Sequence, residues 1–268
     1  MSSEIHATAI IEDGAQLGTD VKIGPYCVIG ADVKIGDGCQ LMSHVVVTGH
    51  TSMGNGNRIF PFTSIGQIPQ DLKYHGEDST VEIGDNNQIR ENVTINAGTE
   101  GGGMVTRIGS DNILMAYTHV AHDCILGSKI VLANCATLAG HVEVEDGAII
   151  GGLSAVQQFV RVGRLAMIGG MSGVTKDVTP FTLLAGGYRA GLSGLNIIGL
   201  KRHGFSLKQV GLLKEIYRLL LQDSGRREER LLEAEALLSE GDTDGRHMIE
   251  FIRSAKGGLM MHARAASS

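Results

Sequence analysis

The stretch Leu114–His141, LMAYTHVAHDCILGSKIVLANCATLAGH, holds three of the ten histidines and repeats in steps of six. Leu114, Val120, Leu126, Leu132 and Leu138 are aliphatic anchors six positions apart. Toward the N-terminus the step runs through Ile5, Ile11, Leu17, Ile23, Ile29, Ile35, Leu41, Val47, Met53, Ile59 and Ile65, then Ile83, Ile89, Ile95 and Ile108. Toward the C-terminus it continues through Val144, Ile150, Val156, Val162, Ile168 and Val174. None of these 26 anchors is polar. Four residues after an anchor the side chain is usually small or β-branched, as at Ala9, Val21, Cys27, Cys39 and Ala136.

A helix repeats near every 3.6 residues and a half-buried strand every second one, so a step of six fits neither alone. It fits a short strand, a bend and another short strand. Glycine follows the anchor twelve times, as in Ile23-Gly24 and Ile168-Gly169, which favours a bend there because glycine tolerates angles closed to other residues. Three such units close a triangular coil of eighteen residues, and coils stack as parallel strands about 4.8 Å apart. The reading is a parallel β-helix over residues 1–180 with aliphatic anchors inside. A sandwich with accidental spacing would not keep 26 anchors in step.

Two insertions break the pattern, near 66–82 and near 98–107. The first, Gln67–Glu82, keeps phase but lacks anchors; the second contains the glycine-rich GTEGGGMVT and shifts the phase by one. Glycines of that kind can cradle phosphate, though GGG alone is a weak signal.

Coils of eighteen bring distant residues together. His122, Gly140 and Gln158 form one column, and Asp123, His141 and Phe159 the next, with His119 in the same coil as His122. A neutral imidazole can take a proton from a hydroxyl near pH 7, and a neighbouring carboxylate can orient it. The Gly140 N–H could hold a developing oxyanion. The set suits acyl transfer to a hydroxyl without a covalent intermediate. Histidines on β-structure are often merely structural, and the HxxH of His119 and His122 resembles a zinc-ligand pair; three histidines on one wall favour the catalytic reading.

The rest of the composition sets bounds. Of 268 residues, 43% are hydrophobic but only 4% aromatic, with no Trp, so the core must be aliphatic. Residues 1–180 carry a net charge of −9 and residues 181–268 a net of +3, which argues against nucleic acid as a partner. Cys27, Cys39, Cys124 and Cys135 show no CxxC spacing, and the first three occupy the small position after an anchor. No signal peptide and no bilayer-length apolar run is visible, so a cytoplasmic location and no stable membrane insertion are expected. After Val178 the period becomes helical, with Ser206–Gln209 as a capping box and apolar residues from Leu207 to Leu221 on one face. Helices are expected also over 226–239 and 244–255, and a loose tail over 257–268. This C-terminal α-helical domain, residues 181–268, would cap the solenoid.

HVAHDC at 119–124, LAGH at 138–141, QDLKY at 70–74 and NIIGLKRHGF at 196–205 occur in the order found in the UDP-N-acetylglucosamine acyltransferases, which the chain resembles over nearly its whole length. The resemblance implies a homotrimer of left-handed β-helices. It implies transfer of a 3-hydroxyacyl group from acyl carrier protein to the 3-hydroxyl of UDP-N-acetylglucosamine, the first step of lipid A biosynthesis. No metal is implied, and no cofactor beyond the carrier-protein thioester. By resemblance His122 is the general base, Asp123 its partner and Gly140 the oxyanion donor. Gln70, Asp71 and Lys73 match a substrate-binding loop that reaches a neighbouring subunit's cleft. His119, His141 and Gln158 match wall residues holding sugar nucleotide or acyl chain, Asn196 and Arg202 match nucleotide-binding positions, and Gly170 matches the position that limits acyl length. Ile198, His203, Gln157, Asn96 and Gly187-Tyr188 depart from residues common in the family. The alternatives are an N-acyltransferase acting on a 3-amino UDP-sugar, an acyl-coenzyme A-dependent hexapeptide acyltransferase, and a purely structural β-helix.

Overall fold

The computed structural model describes residues 3–187 and 190–262. Three sheets of eleven, nine and eight strands wrap one core, and the chain visits them in turn. Most strands are two residues long, and all pairs in the coil stack are parallel. Glu4–Ile5 pairs with Lys22–Ile23, and Ile113–Leu114 with Val131–Leu132, so stacked residues stand eighteen apart. The architecture is a left-handed parallel β-helix followed by a small helical unit.

The anchors fill the prism. From Ile23 to Val174 every one of them is buried, at 5% exposure or less. Burying each stabilises by roughly 1.5–3 kcal/mol. Ile5 is exposed and Ile11 and Leu17 half-buried, because no coil of the described residues stacks beneath the first.

The glycine after the anchor has a different role from the one its position suggested. Gly24 and Gly169 do not adopt left-handed angles. A Cβ on Gly24 would lie 2.9 Å from the Met42 carbonyl carbon in the next coil, so glycine is needed for close stacking. The left-handed residue comes two positions later and is usually not glycine: Tyr26, His44, Phe62, Tyr117, Asp123 and His141 all have φ near 60°. Repetition of the stack holds each corner in an angle that costs of order 1 kcal/mol or more.

Both insertions leave at one corner, between the nine- and eight-stranded sheets. The chain exits after Ser64–Gln67 and returns at Thr80–Ile83, then exits after Thr94–Asn96 and returns at Val105–Ile108. The return strands, expected to be loop, pair in the eight-stranded sheet, Thr80–Ile83 with His50–Met53 on one side and Val105–Ile108 on the other.

The sheet runs on past Val178. Thr182–Ala185 adds a parallel strand, and Gly191–Leu195 turns back antiparallel on it. Four helices follow: α1 (Ile197–Arg202), α2 (Leu207–Tyr217), α3 (Arg227–Ala236) and α4 (Thr243–Ser254). The Ser206–Gln209 capping box forms, and α2 extends through a π turn at Arg218–Gln222. The expected loose tail is docked as far as it is described. Met260 is buried, Asp177 exchanges backbone hydrogen bonds with Gly258 and Met260, and His262 Nε2 lies 2.8 Å from the Tyr217 hydroxyl. Residues 263–268 of that tail lie outside the described residues. Helix α4 is tied to the coils by His247–Glu145 at 2.8 Å and Arg164–Asp244 at 2.5 Å. Among the described residues no helix is long and apolar enough to cross a membrane.

Candidate active site

His122 and Asp123 form the corner after the strand His119–Val120, and both are buried. His122 Nδ1 lies 2.8 Å from Asp123 Oδ2. A carboxylate only accepts, so Nδ1 carries the proton and Nε2 is left as an acceptor. Asp123 has φ 59°, which Asp adopts more readily than most residues.

Gly140 sits one coil on. A Cβ built there would stand 2.4 Å from His122 Cε1 and 2.5 Å from Nε2, so the ring lies where any side chain would be. Among the described residues the Gly140 N–H has no backbone acceptor, whereas Ala139 and His141 donate to Val156 and His122 carbonyls. A free N–H therefore accompanies the free imidazole nitrogen.

His141 stacks on Phe159, with 4.4 Å between centroids, and meets His122 edge-on at 5.0 Å. Its Nδ1 is 3.7 Å from Asp123 Oδ2. Burial pushes the pKa of His141 down, against the pull of Asp123. His119 Nδ1 lies 2.7 Å from Thr94 Oγ1, and burial lowers its pKa too, with the charge of His122 adding. Both rings are thus biased toward the neutral form, which can still accept a hydrogen bond.

The first insertion folds over this corner. Asp71 Oδ2 lies 3.9 Å from His122 Nε2. The Lys73 N–H donates to Asp71 Oδ1 at 3.0 Å and holds that carboxyl below its usual range, with His122 and the Lys73 ammonium helping. The loop therefore lies over its own chain's His122, whereas the resemblance implied a reach into a neighbouring subunit's cleft. Its two ends are strands of the sheets that meet at this corner, so the tip stays over it. A cleft of about 460 Å³ runs between Asp71, Lys73, Thr99, His141 and Phe159. Gln70 is exposed at the loop's start, and Gln158 is exposed beside Phe159.

Other expected site residues lie elsewhere. Gly170 is on the corner between the eleven- and nine-stranded sheets, stacked on Gly152. Asn196 caps α1: its Oδ1 accepts from Gly199 N, and its Nδ2 donates to the Leu165 carbonyl, both at 3.0 Å. Arg202 is exposed at the end of α1. Among the departures, Ile198 is exposed, His203 Nδ1 is bonded to the Gly199 carbonyl, and Gln157 is exposed. Asn96 is buried and donates to the Ile68 carbonyl at 2.9 Å, pinning the start of the first loop. Tyr188 lies outside the described residues.

Sequence reasoning missed Thr99, Gly102 and Thr106. The Thr99 N–H donates to Asp123 Oδ1 at 2.8 Å and its hydroxyl to Oδ2 at 2.6 Å. The Asp123 N–H donates to Thr106 Oγ1 at 2.8 Å. A Cβ on Gly102 would fall 2.0 Å from Asp123 Cγ. The glycine-rich loop thus presses on a carboxylate, which disfavours a phosphate there. The only warning in the sequence was the one-residue phase shift between Ile95 and Ile108.

His122, Asp123 and His141 bring ligand-type atoms within 4.8 Å of one another. Asp123 Oδ2 already accepts from His122 Nδ1 and Thr99 Oγ1, so a cation would have to displace both. His119 faces Thr94, which splits the HxxH pair. The geometry offers a base, its orienting carboxylate and a free N–H; it does not favour metal. Cys124, at 0% exposure, donates its thiol to the Ala139 carbonyl, and burial pushes its pKa up to about 12, so it is packing and no nucleophile.

Residues 177–260 match the family model described as UDP N-acetylglucosamine O-acyltransferase, domain 2. LpxA of Acinetobacter baumannii is 40% identical, with a TM-score of 0.92, and the match covers 96% of this chain and 99% of that one. The UDP-N-acetylglucosamine acyltransferase of Campylobacter jejuni is also 40% identical, with a TM-score of 0.90 over 97% of this chain and 100% of that one. The Arabidopsis enzyme of the same name is 34% identical, with a TM-score of 0.80 over 96% and 99%. Identity at this level across both the coils and the helices means that the chain is an acyltransferase and belongs to the UDP-N-acetylglucosamine acyltransferase family.

Proposed function

We propose that this enzyme transfers a 3-hydroxyacyl group from acyl carrier protein to the 3-hydroxyl of UDP-N-acetylglucosamine, opening lipid A biosynthesis. His122 Nε2 takes the hydroxyl proton as the sugar oxygen attacks the thioester carbonyl. The Gly140 N–H bonds the resulting oxyanion. Collapse of the tetrahedral species breaks the carbon–sulfur bond, and His122 returns the proton to the leaving thiolate. Asp123 holds the ring in the tautomer this needs and steadies its charge in between. The observation that carries the reading is the His122–Asp123 bond at 2.8 Å with Gly140 packed against the same ring.

The sugar nucleotide enters the cleft beside Asp71 and Lys73, with the Lys73 ammonium near a phosphate and His119, His141 and Gln158 along the wall. Gly170, Asn196 and Arg202 stand away from this chain's His122, so in the proposed homotrimer they would serve a cleft completed by a neighbouring subunit. The reaction uses no metal and no cofactor beyond the carrier-protein thioester, and it proceeds in the cytoplasm. Mass spectrometry of the product made from mixed 3-hydroxyacyl carrier proteins and UDP-sugar tests the proposal. An ester on the sugar 3-oxygen, abolished by His122→Ala, supports it; acylation from acyl-coenzyme A alone, or full activity in His122→Ala, would refute it.

A further inference from the structure

We infer that Thr99 is a positioning residue that assigns the Asp123 carboxylate to His122 instead of His141; the inference rests on the reading of His122 as the base. Two imidazoles compete for one oxygen. Asp123 Oδ2 is 2.8 Å from His122 Nδ1 and 3.7 Å from His141 Nδ1. A carboxylate turns readily about its last bond, since such sp³–sp² torsions are broad. Something must fix the plane if one histidine is to receive an orienting carboxylate and the other is not.

Thr99 fixes it with two bonds from one residue. Its N–H takes Oδ1 and its hydroxyl takes Oδ2, at 2.8 and 2.6 Å, and both residues are buried. The remaining acceptor site on Oδ2 is the one met by His122 Nδ1. Gly102 closes the opposite side: its backbone lies where a Cβ would strike Asp123 Cγ at 2.0 Å. The Thr99 carbonyl ties the loop itself, accepting from the Gly102 and Met104 N–H groups at 3.1 and 2.9 Å. One threonine therefore sets both the shape of the glycine-rich loop and the pose of the carboxylate. The second insertion is a buttress for Asp123.

Thr99→Val keeps the shape and the N–H but deletes the hydroxyl donor. A hydrogen bond to a charged group contributes enough that its loss should lower kcat about 10- to 100-fold. KM for the UDP-sugar should stay within about twofold, since the lost bond runs from Thr99 to Asp123 and not to the sugar nucleotide. The acidic limb of the kcat/KM–pH profile should move to higher pH, because a carboxylate with one donor fewer holds positive charge on the adjacent ring more strongly. Thr99→Ser should restore both rate and profile. His122→Ala is assayed alongside. If it is inactive while Thr99→Val matches the wild type in kcat and pH profile, the role of Thr99 is refuted and the base reading stands. If Thr99→Ser is as impaired as Thr99→Val, the hydroxyl is not the cause and the inference is likewise overturned. An active His122→Ala would bring down both.

Discussion

Gly140 packs so closely against His122 that a Cβ on the glycine would stand 2.4 Å from the imidazole Cε1. The contact couples two successive coils at the place where, on the proposed mechanism, the base for the sugar hydroxyl and the N–H for the thioester oxyanion stand side by side. Gly140→Ala should push the ring aside while leaving the coil stack intact. A displacement near 1 Å at a reacting group costs about 100-fold in rate. Steady-state kinetics should show that loss in kcat, with circular dichroism unchanged.

Asp123→Asn should be as severe by a different route. The amide can turn its NH2 toward His122, and the ring then loses its acceptor at Nδ1. Nε2 would carry the proton and could not act as base. A loss of about 10²–10⁴-fold in kcat is expected, typical of disabled general-base catalysis, with UDP-sugar binding by calorimetry little changed.

The junction of helices and coils should be pH-dependent. The hydrogen bond to Glu145 raises the pKa of His247 above its ordinary value of 6.5. The folded state thus holds this proton more tightly than the unfolded chain does. The stabilisation is complete below pH 6.5 and fades as pH rises through the raised folded value. Glu145→Gln should lower the melting temperature most near pH 6, where His247 holds its proton, and least near pH 9. Equal destabilisation at both values would show that the ion pair contributes nothing.

Core anchors should be costly to truncate. Leu132 is fully buried between storeys, and Leu132→Ala should lower stability by about 2–5 kcal/mol, read from the urea midpoint.

Chelation should leave turnover untouched. The Asp123 oxygen nearest both imidazoles is already bonded twice, so prolonged treatment with EDTA should not change kcat. Stoichiometric zinc, lost together with activity, would reverse that assignment.

Much of this was legible in the residues themselves. The six-residue step announced the coil, and addition of eighteen placed Gly140 against His122 and Phe159 against His141, as the contacts show. What escaped was whatever the period does not govern. The step that places Gly24 cannot say whether glycine serves a bend or a close approach; that depends on how near the Met42 backbone comes. Thr99 lies 24 residues from Asp123 across an insertion that breaks phase, so no counting rule joins them. The Asp71 loop has no anchors to fix its course, and the motif around Asn196 does not show that its side chain also caps α1.

The parallel register of eighteen has a consequence for how such a molecule can be resized. Each storey touches only the ones above and below, and the coil that begins at Ile23 and closes under Leu41 comes before both insertions. Excising eighteen residues there would shorten the column by one floor and return every later side chain to its own wall. Excising seventeen would swap inward for outward along the seam, so editing of this scaffold is quantised in whole turns.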